Sequence, residues 1–357
     1  MSRATATHSG SQRLVEQAEP RHSASATRWP QGKKFAFAII DDTDVATVAN
    51  VKPIYRLLEQ LGIQATKTVW PVACPEGSPN FSSSQTLDDP EYLEFVVDLQ
   101  ARGFEIAFHG ATMETSGRDR TLRALERFRE VFGGYPRVHA NHSRNRENVY
   151  WGTARVDQPL VKWLYGRASK DSAAYFDGHV EESAHWWGDV CASHIEYVRN
   201  LTFSELDLSR INPTMPYFDL SRPVVNWWYS AADAEDAGEF AALLSTRNQQ
   251  RLEERGGFTI VATHFGKGFV SDGEVDAAVR ERLQELSSRD GWFCSVAELL
   301  DWQRQQGRAG ELPEREWSRM QWAWLADLFL RKLMTRRTLV RSRRRQPAPT
   351  ASNSGSR

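Results

Sequence analysis

Cysteine is scarce in this sequence: Cys74, Cys191 and Cys294 are the three in 357 residues. An odd number, widely spaced and without a CxxC pair, argues against a disulfide framework and a cysteine zinc site. It points to a reducing, cytoplasmic setting. Charge of one sign is also missing. Forty-five lysines and arginines meet 46 aspartates and glutamates, a formal net charge of -1, so no global field draws the chain to nucleic acid. No uninterrupted apolar run approaches the ~20 residues that span a bilayer. Roughly the first thirty residues hold few large apolar side chains, lack the core of a signal peptide and read as unstructured. What is present, 40% hydrophobic and 25% charged residues, fits a soluble globular protein. The length suits one large barrel or two ordinary domains.

Apolar runs alternate with helical stripes. Residues 34–40, 65–70, 104–108, 135–140 and 258–262 read as strands, with 195–199 a weaker candidate. Helices are expected over 50–61, 89–103, 118–132, 234–254, 275–286, 295–302 and 317–333. Val51, Ile54, Leu58 and Leu61 recur at helical spacing before Gly62. Asp89-Pro90 supplies a cap and a first-turn proline, and Ser295 with Glu298 spells a capping box. The alternation argues for parallel strands joined by crossover helices. Segment 145–229 resists assignment. Its tryptophans, Trp151, Trp163, Trp186, Trp187, Trp227 and Trp228, either line a sugar site or fill a core. The organisation expected is an unstructured 1–32, a barrel over 33–310 with an aromatic-rich insertion, a helix over 311–335 and a basic unstructured tail over 336–357.

The chemistry collects at strand ends. The run 34–40 stops at Asp41-Asp42-Thr43-Asp44. Neighbouring carboxylates repel unless a cation or a shared proton relieves them, and α/β folds build their sites beyond the carboxyl ends of strands. The bland alternative is a helix-capping pair. Other strands end at His109 and His264, and a fourth runs into His139-Ala140-Asn141-His142. Parallel strands deliver such ends to one face. Asp and His together suit a divalent cation, zinc foremost.

These pieces resemble the polysaccharide deacetylase family, the chitin-deacetylase-like metal-dependent carbohydrate esterases, over about residues 33–302. Ile39-Ile40-Asp41-Asp42-Thr43 is similar to the family's first motif, Thr-Phe-Asp-Asp-Gly. Phe108-His109-Gly110-Ala111-Thr112 resembles the second, and Ile260-Val261-Ala262-Thr263-His264 a late strand bearing a histidine. The resemblance implies an α/β fold, a distorted (β/α) barrel with fewer than eight parallel strands. It implies a hydrolase that removes an acyl group, N-acetyl foremost, from a carbohydrate. It also implies Asp41 as general base, His264 as general acid, and Asp42 and His109 as ligands of a divalent metal ion.

Two departures matter. Met113 stands where the family has its second metal-binding histidine, and a thioether is a poor ligand for a hard site. Tyr135-Pro136-Arg137-Val138-His139 matches the third motif poorly. His142 is the preferred substitute ligand, with His139 and Asp44 as alternatives, and Arg144 and Trp151 are expected to contact substrate. Met113 also favours a rival reading, a degenerate carbohydrate-binding or assembly protein. A hydrolase of non-sugar amides is a third, because fold does not fix substrate. Finally, 317–333, with Arg319, Arg331 and Lys332, reads as a basic amphipathic helix, and an arginine-rich tail with Arg336, Arg337, Arg341, Arg343, Arg344 and Arg345 lies beyond it. The helix either packs on the barrel or makes weak contact with an anionic membrane surface.

Overall fold

The computed structural model describes residues 29–168 and 175–345. Its main strands are β1 (Phe35–Asp41), β2 (Thr66–Val69), β3 (Glu105–Phe108), β4 (Val138–His139), β5 (Tyr197–Phe203), β6 (Trp227–Asp233), β7 (Phe258–Thr263) and β8 (Gly291–Phe293). β1 to β7 pair in parallel, each with the next. β7 then pairs back to β1 from Ala36↔Phe258 to Asp41↔Thr263. The ring is a closed, seven-stranded parallel barrel, the distorted (β/α) barrel with fewer than eight strands that the sequence implied. β8 lies beside Phe35–Phe37 of β1, below the level at which β2 begins. It occupies part of an eighth strand's place without joining the ring.

The helices are α1 (Val48–Gln60), α2 (Pro90–Ala101), α3 (Arg118–Phe132), α4 (Pro159–Ala168), α5 (Gly188–His194), α6 (Ala237–Leu243), α7 (Thr246–Arg255), α8 (Ala277–Ser287), α9 (Val296–Gln305) and α10 (Glu314–Arg345). Ser295 and Glu298 do form the capping box of α9. At α1 the cap is Thr47, and Asn50 closes the box from the third helical position. The expected helix over 234–254 is two, α6 and α7, preceded by a strand that the sequence did not announce. β6 is buried from Trp228 to Ala232. A strand covered on both faces carries no apolar–polar alternation to read. The six tryptophans divide. Trp187 and Trp228 are core residues, whereas Trp163 is exposed.

Both ends depart from the expected organisation. Trp29, placed with the unstructured segment 1–32, is buried. It packs on Trp302 with ring centroids 4.5 Å apart and on Phe258 at 5.8 Å. Its Nε1–H donates to Gly256 O at 3.2 Å. It thus plugs the amino-terminal end of the barrel. At the other end α10 continues to Arg345, because Arg, Leu and Met sustain a helix and no Gly or Pro interrupts it there. Pro30–Gly32 form a 3-10 turn, and residues 1–28 and 346–357 lie outside the described residues. Replacing Trp29 with Ala should cost about 3–5 kcal/mol, the usual loss for a large buried aromatic. Urea denaturation of the full chain measures this, and a loss below about 1 kcal/mol would place Trp29 outside the cooperative core.

Candidate metal centre and active site

A cavity of about 240 Å³ opens at the carboxyl ends of the barrel strands, walled among others by Asp42, Asp44, His109, His142, Arg199 and His264. Asp41, expected as the general base, is not in its wall. Neighbouring residues of a strand face opposite sides, and Asp41 turns toward the helical layer. Fully buried, it meets Lys67 Nζ of β2 at 2.8 Å, accepts from Tyr55 Oη of α1 at 3.0 Å and accepts from the Phe265 backbone N–H at 2.8 Å. Burial alone would lower the Lys67 pKa, but Asp41 beside it outweighs that and raises it. Asp41 is therefore half of an internal ion pair, out of reach of any substrate in the cavity.

Asp42, expected as a metal ligand, is instead gripped by Arg199 of β5, which donates Nη1–H to Oδ1 at 2.9 Å and Nη2–H to Oδ2 at 2.5 Å. Burial pushes the Asp42 carboxyl up. The Arg199 guanidinium, helped by His109 and His264, outweighs burial and holds it at about 2. The carboxylate at the centre is Asp44, two residues on and on the same side. His109 Nε2 lies 3.3 Å from its Oδ1, and His142 Nε2 and His264 Nε2 each lie 3.5 Å from its Oδ2. Burial favours the neutral acid, yet the three imidazoles outweigh it and hold Asp44 well below the usual carboxylate range.

Outer hydrogen bonds settle which imidazole nitrogens carry protons. His264 Nδ1 lies 3.1 Å from Glu235 O; a carbonyl only accepts, so this nitrogen is protonated. His142 Nδ1 faces Asn145 Oδ1 at 3.0 Å. The Asn145 amide is oriented by donating Nδ2–H to Thr112 O at 2.9 Å and Glu147 Oε1 at 3.0 Å, so His142 Nδ1 also donates. In the neutral rings both Nε2 lone pairs then point at Asp44, acceptor against acceptor, a contact that needs a cation or an added proton between them. His109 Nδ1 and Asp44 Oδ1 are buried without hydrogen-bond partners.

These observations fit a divalent metal. Carboxylate and imidazole are zinc-type donors, and an imidazole whose second nitrogen is fixed by an acceptor is the usual form of a metal-binding histidine. Tetrahedral bonds of ~2.0–2.1 Å put neighbouring donors about 3.3–3.4 Å apart, close to the Asp44–histidine separations. Among the described residues no group of three or more His, Cys, Asp or Glu side chains stands in an arrangement that could hold a metal ion as it is. The fit lies in the donor chemistry and in these pairwise distances.

The other expected residues fall as follows. His139 is turned away, with Nδ1 on Phe108 O and Nε2 on Asn141 Oδ1, and takes no part in the cavity wall, whereas His142 does. Met113 accepts from Ser83 Oγ at 2.9 Å and does not reach the cavity. Arg144 is exposed and off the wall; its neighbour Ser143 lines it. Trp151 lines the cavity, but the Arg155 guanidinium covers its ring at 3.7 Å. The sequence reading missed Arg199, Asp233, Glu235 and Lys267, all in the wall. Lys267 Nζ binds Glu235 Oε1 at 2.5 Å and stands 3.7 Å from Asp44 Oδ2. An arginine inside a buried strand was the available signal for Arg199, since such residues are rarely buried unpaired.

The loops bearing Asp44 and His264 rest on each other. A Cβ on Gly266 would lie 2.8 Å from Val45 O and 2.9 Å from Asp44 O. Val45 adopts φ +53°, an uncommon conformation for a β-branched residue. Ser84 Oγ accepts from its N–H at 2.8 Å, and Asn50 Nδ2–H donates to its carbonyl at 2.9 Å.

No family model and no curated protein sequence matches the chain. Solved structures give distant likenesses. A Mycobacterium smegmatis protein assigned as a polysaccharide deacetylase is 15% identical, with 81% of this chain and 97% of that one covered at a TM-score of 0.47. PuuE allantoinase is 11% identical, with 79% and 94% covered at 0.45. A mutant of the Bacillus subtilis peptidoglycan deacetylase PdaC is 12% identical, with 77% and 93% covered at 0.38. Likenesses at this level carry no functional argument.

The ion pair yields a stability test. Asp41→Asn leaves the Lys67 ammonium buried without a counter-charge and should cost about 3–5 kcal/mol. Adding Lys67→Met should restore at least about half of that, as replacement of a whole buried pair often does. Urea denaturation of the two variants measures both. Wild-type stability in Asp41→Asn would show that Asp41 is not held by this pair.

Proposed function

We propose that the chain is a metal-dependent hydrolase that removes an acyl group, N-acetyl in the first instance, from a carbohydrate. One observation carries this reading. Three histidines from three strand ends turn Nε2 toward one carboxylate, Asp44, while the Nδ1–H groups of two of them are engaged elsewhere. Asp44, His109 and His142 would hold the ion. When bound, the metal would lower the pKa of a water molecule and polarise an amide carbonyl.

The chain's own residues supply the proton chemistry. Asp42, oriented by Arg199, takes the role first assigned to Asp41 and accepts a proton from the attacking water. Its pairing with Arg199 makes it a weak base, so its contribution is orientation as much as proton capture. His264, as the imidazolium with Nδ1–H held on Glu235 O, gives its Nε2 proton to the leaving amine, and the proton taken up by Asp42 restores it after the products leave. Water adds to the acyl carbon, the C–N bond breaks, and a free amine and a carboxylic acid leave. At about 240 Å³ the cavity is smaller than the ~300–1,000 Å³ of drug-sized ligand sites. It suits the acyl group and an adjoining ring, with any longer chain outside.

A second reading has its own support. The ligand set is not drawn into a cage among the described residues, which favours a degenerate carbohydrate-binding protein. Metal retention separates the two. After loading with zinc, cobalt or manganese and dialysis, the wild type should keep about one ion per chain. Asp44→Asn, His109→Ala and His142→Ala should keep little. Asp42→Asn and His264→Ala should keep the ion, yet hydrolyse N-acetylated sugars ~10²–10⁴-fold more slowly than the parent. Metal loss in His264→Ala would move His264 into the ligand set. A wild type that retains no ion would hand the site to the non-catalytic reading.

A further inference from the structure

Six of the eleven large apolar side chains exposed among the described residues belong to two adjoining helices: Leu160 and Trp163 of α4, and Trp322, Phe329, Leu330 and Leu333 of α10. The helices run side by side. Gln321 Oε1 accepts from the backbone N–H groups of Asp157 and Gln158 just before α4, at 2.7 and 2.9 Å. Lys332 Nζ donates to Ala168 O at its end, at 2.7 Å. The inner side of α10 is accounted for: Met320, Trp324 and Leu325 are buried, and Trp324 packs on Tyr165 with ring centroids 4.9 Å apart. At about 100° per residue, Trp322, Phe329 and Leu333 fall within ~40° of one another and roughly half a turn from Trp324. In this stripe Trp322 and Leu333 lie on the side away from the protein, and Phe329 at its edge, where it borders the groove shared with Tyr165 and Ala168 of α4.

Charge accompanies the stripe. From Lys332 to the helix end at Arg345 the sequence has seven lysines and arginines and no acid. On α4 the Arg167 guanidinium sits 4.6 Å over the exposed Trp163 ring. No described helix is long and apolar enough to cross a membrane. A helix with Trp, Phe and Leu along one line and arginines flanking it suits the plane of a lipid surface instead.

We infer that the α4–α10 face docks on an anionic membrane surface. The cations select acidic headgroups, and the aromatic and leucine side chains enter the boundary between headgroups and acyl chains. Nucleic acid would satisfy the cations but leave the apolar stripe unused. The docking face is tied to the cavity rim, since Arg331 binds both Asp327, at 3.0 Å, and the cavity residue Asp233. Docking would hold the cavity at a set distance from the lipid. The inference does not depend on the hydrolase reading, because its test involves no turnover.

Sedimentation of the full chain with vesicles tests it. With about one-third phosphatidylglycerol in phosphatidylcholine, binding should exceed that to phosphatidylcholine alone roughly ten-fold, through the basic residues. It should weaken as salt rises to about 0.5 M. Trp163→Ser/Phe329→Ser/Leu333→Ser keeps every charge and should lower binding to the acidic vesicles roughly ten-fold at an unchanged circular dichroism spectrum. Full-length protein that stays in the supernatant overturns the inference. So does undiminished binding by the triple variant, which would reduce the contact to nonspecific charge. Tighter binding to duplex DNA than to vesicles would reassign the face to nucleic acid. A dimer in lipid-free solution that the triple variant abolishes would reassign it to a second copy of the chain.

Discussion

Two carboxylates adjacent on the chain end on opposite sides of the β1 wall, and each needs its own cation there. Asp41 takes Lys67 on the helical side, and Asp42 takes Arg199 on the cavity side. The repulsion expected of neighbouring acids is thus relieved by separation across the strand and by two buried ion pairs. Neither acid is free to serve as the central anion of the site. That place falls to Asp44, whose loop turns it back to the cavity side.

The electrostatics of the cavity follow from this assignment. Asp44 is surrounded by three imidazoles, with the Lys267 ammonium at 3.7 Å, so its stabilisation depends on that ammonium and on what stands between it and the three Nε2 atoms. The atoms behind the rings are what make the arrangement specific. Glu235 O and Asn145 Oδ1 fix the protons of two imidazoles, and Thr112 and Glu147 orient Asn145. Ligand-bearing side chains held from behind in this way keep their geometry without relying on the ligand.

The barrel was legible because strand and helix signals alternate over most of the chain, and because Ser295, Asp89-Pro90 and Gly62 mark helix ends chemically. The rim histidines were legible for the same reason: His109 and His264 terminate clear apolar runs. Asp41 was misread by motif matching, which aligns residue types but ignores which side of a strand each one faces. The same two-residue period would have paired Asp42 with Asp44. Arg199 and β6 were hidden in the aromatic-rich segment, where burial on both faces erases the alternation that a strand usually shows. Trp29 was lost among serines and alanines, since one aromatic in a polar stretch carries no periodicity.

β1 closes the barrel on β7, and the Asp41–Phe265 hydrogen bond spans 224 positions of sequence. Contacts of such separation form late, because loop closure must precede them. The edge of β1 and the carboxyl end of β6 both take their partner from β7, so the sheet is open at these places in any chain in which β7 has not yet docked. Open edges invite pairing with other chains. The strand that brings His264 to the cavity is also the one that ends this exposure, so assembly of the site and escape from aggregation are the same event.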